Sequence, residues 1–95
     1  MNTLSAFNRC VELHSNIQTR PNDHTVQSIN DFDNYTVDVA ESLIAVACDG
    51  DTSMIDRQAA LARLRVIAEI RLDVQEVLVR KAFGMGYLSH CSLVH

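Results

Sequence analysis

Residues 53–83 read SMIDRQAALARLRVIAEIRLDVQEVLVRKAF. No proline or glycine interrupts them, and apolar residues recur throughout at spacings of three and four, the signature of a helix. Ser53 with Asp56 three positions on has the form of a capping box, aspartate standing where glutamate is usual. Gly84 and Gly86 supply the stop. At 1.5 Å per residue the helix makes a rod of about 45 Å. A compact globule of this chain length is only about 30 to 35 Å across. The rod is longer than the ball.

At about 100° per residue, Gln58, Arg65, Glu69, Asp73, Glu76 and Arg80 crowd into a polar stripe roughly 80° wide. Almost everything else on the rod is apolar, over about two-thirds of its circumference, whereas an ordinary surface helix shows an apolar stripe of about 100°. Two shorter helices do not supply enough surface to cover both flanks of such a rod. The sequence therefore predicts a homodimer or higher oligomer in which long helices pack together. The alternative is a monomer whose N-terminal segment and C-terminal tail wrap the rod.

Upstream, Leu4, Phe7, Cys10, Val11, His14 and Ile17 repeat at helical spacing, which predicts a helix over 3–19 with Thr3 as N-cap and Pro21 as its stop. Val26, Ile29 and Phe32 keep the same spacing, but Asn30, Asp31, Asp33 and Asn34 form hydrogen bonds with their own backbone and weaken helices. An irregular or frayed stretch is expected over 25–34. Asp33 or Asn34 would then cap a firmer helix over 35–48, in which Tyr35, Val39, Leu43 and Val46 line the core and Ala40, Ile44 and Ala47 widen it. Asp49-Gly50-Asp51 ends it, with Gly50 in the left-handed position. The last nine residues, 87–95, are apolar yet irregular. The expected fold is a single all-α domain over 1–95. It has three helices, the second and third forming an antiparallel hairpin, assembled as a helical homodimer or larger oligomer.

Composition narrows the function classes. The 95 residues are 47% hydrophobic and 21% charged with a net charge of −4, too apolar for disorder and too acidic for a phosphate-coating surface. No apolar run reaches the roughly 18 residues of a membrane span, and residues 1–20 lack the pattern of a leader. Cys10, Cys48 and Cys91 are odd in number and form no C-x-x-C pair. Reduced thiols, and hence a cytoplasmic protein, are expected.

Arg71 interrupts the apolar arc of the rod, with Arg57 and Gln75 close to it in angle. A buried guanidinium needs an anion or a path to water. One solution is a salt bridge to Asp38, Glu41 or Glu12. Another is a cleft in which Arg71, Gln75, Arg57 and His14 receive a carboxylate or a ligand phosphate, since arginine's fork binds either anion in bidentate fashion. Charge is also uneven along the chain. Residues 1–56 hold nine acids and two bases, and residues 57–95 hold three acids and six bases. Asp31, Asp33, Asp38, Glu41, Asp49 and Asp51 thus form either a solvated acidic face or a surface for a basic partner.

Catalytic and metal chemistry is thinly represented. Asp31-x-Asp33 and Asp49-x-Asp51-x-Ser53 begin like calcium loops but lack the glycine at position six and the glutamate at position twelve. His14, His90, His95, Cys10 and Cys91 lack zinc-ligand spacing. Gly84-x-Gly86 follows a helix and has no third glycine or lysine, so it is no phosphate loop. Carboxylate pairs such as Glu69 with Asp73 fall on the exposed stripe, which offers none of the burial that a general acid or base needs. The six bases after Asp56 scatter around the wheel, which does not favour nucleic acid. No cofactor and no metal are expected. These features predict a non-enzymatic protein that binds another protein as a regulator, inhibitor or adaptor, a class that suits a virus or mobile element. The alternative is an oligomer that holds a small anionic ligand or nucleotide between subunits against Arg71.

Overall fold

The structure, a computed structural model, describes residues 2–84. Three helices, α1 (Thr3–Thr19), α2 (Val26–Cys48) and α3 (Met54–Gly84), follow one another, with a 3-10 turn at Pro21–Asp23 between the first two. No strand occurs among the described residues. The principal extents, 51 × 28 × 17 Å, reflect the unbroken 31-residue α3, which supplies about 46 Å of the long axis at 1.5 Å per residue.

Each helix begins on a side-chain cap that satisfies donors the helix itself leaves open. For α1 the cap is Asn2, one residue earlier than expected: its Oδ1 accepts from the Ser5 N–H at 2.7 Å, and Thr3 is already helical. For α3 it is Ser53, whose Oγ accepts from the Asp56 N–H at 3.2 Å. Thr25 caps α2 in a reciprocal box with Ser28, each backbone N–H donating to the other's hydroxyl oxygen at 3.0 Å.

That box corrects the largest sequence-based expectation. Residues 26–34 are regular helix, and α2 is a single 23-residue element. The poor helix formers Asn30, Asp31, Asp33 and Asn34 cost up to about 0.7 kcal/mol each. Against them stand Ile29, with no exposed surface, and Phe32, at 6%, each worth about 1.5–3 kcal/mol on burial. Burial, with the cap, outweighs propensity. The end of α2 also differs from expectation. Gly50 does not adopt the left-handed conformation. Asp49 instead leaves the helix at φ −78° and ψ 111°. Its carboxylate accepts from the Asp51 N–H at 2.9 Å and the Thr52 hydroxyl at 2.8 Å, and these bonds hold its pKa below the usual carboxylate range.

The core lies along one seam of α3, where Ala60, Ile67, Ile70, Val74 and Val77 are buried at heptad spacing. α2 contributes Ile29, Phe32, Thr36, Val39 and Leu43, and α1 contributes Cys10 and Ile17. Thr36, the one buried polar residue among those described, donates its hydroxyl to the Asp33 carbonyl. α2 and α3 make the most extensive contact, and α1 lies across both. Of the apolar residues assigned to the core from sequence, Ile44 instead stands 49% exposed, and Leu4 and Val11 face outward as well.

Candidate functional site

The side on which each neighbour sits is fixed by specific bonds. Arg71 Nε donates to Asp33 Oδ1 at 3.4 Å, and Arg57 Nε donates to the Ala47 carbonyl at 3.1 Å; both tie α3 to α2. His14 Nε2 and Asp73 Oδ2 lie 2.9 Å apart, and the Arg63 guanidinium lies 6.0 Å from the centre of the Phe7 ring; both tie α3 to α1. With 100° per residue, α1 and α2 occupy adjoining sides of α3. The side of α3 opposite α1 has no neighbour among the described residues.

This open side is not polar. Leu61 (50% exposed), Leu72 (68%) and Val79 (47%) form a second stripe along α3 with exposed Ala68, and Met54 and Phe83 extend it to both ends. Residues 61, 65, 68, 72, 75 and 79 alternate by four and three, a second heptad seam. Only Arg65 and Gln75 are polar in it. On α2 the same face carries Ile44 and half-buried Val37. Scattered apolar residues are ordinary at a surface, whereas these recur along one line of α3, interrupted by Arg65 and Gln75.

The residues singled out from sequence separate. Arg71 pairs with Asp33, not with Asp38, Glu41 or Glu12, because the helical 26–34 segment brings Asp33 opposite it. Arg57 is used by Ala47, and His14 faces Asp73 on the α1 side. Gln75 stands exposed on the open face. These four therefore line no common cleft. Among the acids, Asp31 accepts from Gln27 Nε2 at 2.8 Å, Asp33 is half-buried in its ion pair and Asp49 closes the turn. Asp38, Glu41 and Asp51 are exposed. Within the polar stripe Arg80 pairs with Glu76 at 3.3 Å.

Hollows among the described residues accompany the helices. One of about 550 Å³ lies between the turn and the end of α3, lined by Pro21, Thr25, Val77, Arg80 and Lys81 among others. One of about 340 Å³ separates α1 from α2 beside Arg9, Leu13, His24 and Tyr35. Arg71, Gln75, Arg57 and His14 line neither. Among the described residues no three His, Cys, Asp or Glu side chains gather as a metal set, and no helix is long and apolar enough to cross a membrane. Gly86, the 87–95 tail and the candidate zinc ligands His90, Cys91 and His95 lie outside the described residues. The exposed stripe was hidden in the sequence because residues of both α3 seams are equally apolar; only the position of α1 tells them apart. Comparison of the chain with known protein families, with curated proteins and with solved structures gives no match.

Proposed function

We propose that the protein is a non-enzymatic binding protein, acting through protein–protein contact as a regulator, inhibitor or adaptor, and that it works as a helical homodimer or larger oligomer. The open apolar side of α3 carries this reading, with Leu61, Leu72 and Val79 half or more uncovered along one line. Burying apolar surface yields about 25 cal/mol per Å², so a stripe of this size favours association over hydration. The exposed Cys48 thiol supports a reducing compartment such as the cytoplasm.

Leu72→Glu combined with Val79→Glu tests the reading. Both residues lie outside the buried core, so the variant is expected to keep its helical circular dichroism and unfolding temperature within a few degrees. It is also expected to lose self-association by at least about tenfold in dissociation constant, since two charges must be desolvated at the contact. A folded variant that associates as the parent does contradicts the proposal.

A further inference from the structure

Resting on the reading of α3's open side as a self-association surface, the charge pattern of the helices identifies how the second copy sits. We infer that two copies stack face to face about a two-fold axis running along the helices, so that α3 of each copy lies on α2 of the other. The relevant face comprises the sides of α2 and α3 turned away from α1. A single molecule presents it about 20 Å wide, two helix diameters, over the roughly 35 Å of α2. That is about 700 Å² per copy, close to the roughly 800 Å² per partner of a stable interface.

Two isologous arrangements bring this face onto itself. With the axis across the helices, α3 meets α3 and α2 meets α2. Of the four α2 acids, Asp31 is held by Gln27 beside the α1 hollow and Asp33 by Arg71, so among the described residues the free acids are Asp38 and Glu41, and this arrangement offers them only the base-free α2. With the axis along the helices, Asp38 and Glu41 meet α3, where Arg57 and Arg71 are tied to their own α2, Arg63 lies over Phe7 of α1 and Arg80 pairs with Glu76, so the base this face offers is Arg65. The Arg71–Asp33 and Arg57–Ala47 bonds fix the register of the hairpin, and in both the residue numbers sum to 104. The level of Arg65 is therefore that of α2 residue 39, between Asp38 and Glu41. All three are exposed, and Arg65 appears in no ion pair among the described residues. Within one chain Arg65 lies at the α3 edge of the face and the two acids toward the α2 edge. Only a copy rotated about the lengthwise axis joins them. The same rotation sets Leu61 on the partner copy's Ile44 and Ala68 on its Val37, so these apolar residues of the two helices cover one another.

The first measurement is a charge exchange followed by sedimentation equilibrium. Arg65→Glu alone, and Asp38→Arg with Glu41→Arg, are each expected to weaken the dimer by about tenfold. The triple variant is expected to return to within about threefold of the parent. In the crosswise arrangement Asp38→Arg with Glu41→Arg removes no favourable pair and the triple variant restores nothing; additive weakening overturns the inference. A second measurement uses the exposed Cys48, spin-labelled in a Cys91→Ser chain. With helix axes about 10 Å apart, the lengthwise axis places the two labels about 15 to 25 Å apart. The crosswise axis places them more than about 30 Å apart. A long distance in a dimer overturns the stacking and leaves self-association standing, whereas a parent chain that is monomeric overturns both.

Discussion

At the scale of single residues, charge placement follows desolvation. The Arg71 side chain keeps 38% of its surface in water while Asp33 keeps 15%, so the pair is half screened and worth only about 1 kcal/mol. Asp33→Ala is expected to cost about that much in chemical denaturation, because it leaves the guanidinium without its anion. Arg71→Met, which keeps the apolar stem but leaves the more deeply buried Asp33 carboxylate without its cation, is expected to cost at least as much. Losses well above about 1 kcal/mol for both would show that the ion pair, not the packing, holds α2 on α3. Cys10 has no exposed surface, and burial pushes its thiol up to about 11. Its neutral form is the folded form, so this group leaves stability flat below about pH 9. The unfolded chain ionises first, and stability falls as pH rises from there towards 11. Cys10→Ala is expected to flatten that alkaline fall relative to the parent. In a Cys91→Ser chain at neutral pH a thiol reagent is expected to modify Cys48 quickly and Cys10 only on unfolding.

At the scale of elements, α2 shows how a strong hydrophobic pattern overrides weak local preference. Thr25→Ala removes one half of the capping box and is expected to cost about 1 kcal/mol. Faster amide exchange confined to the first two turns of α2 would accompany it. Exchange unchanged there would mean that Ile29 and Phe32 alone nucleate the segment. α1, the extent of α3 and the hairpin were legible, since their apolar residues recur without interruption and Pro21 and Asp49–Ser53 break them. The start of α2 was not, because Asn and Asp side chains offer the backbone competing bonds and Thr25 with Ser28 lacks the glutamate that usually marks a capping box. The partner of Arg71 was lost with it. If 25–34 is irregular, Asp33 has no helical position, and only acids farther along α2 remain to be paired.

At the scale of the molecule, α3 is a helix with two seams. Its own chain fills one of them, with Ala60, Ile67, Ile70, Val74 and Val77 against α1 and α2. The other, through Leu61, Ala68, Leu72 and Val79, lies open among the described residues. The sequence indicated an excess of apolar girth but not where the excess lies, since a helical wheel has no neighbours until the register of α1 is known. The rod is unbroken, and α1 and α2 cover two adjoining sides of it. Light scattering on the wild-type chain across micromolar concentrations tests this account most directly. The expected mass is twice the 10.6 kDa of the chain, or a higher multiple, falling towards 10.6 kDa only on dilution. A mass of 10.6 kDa throughout that range would contradict it.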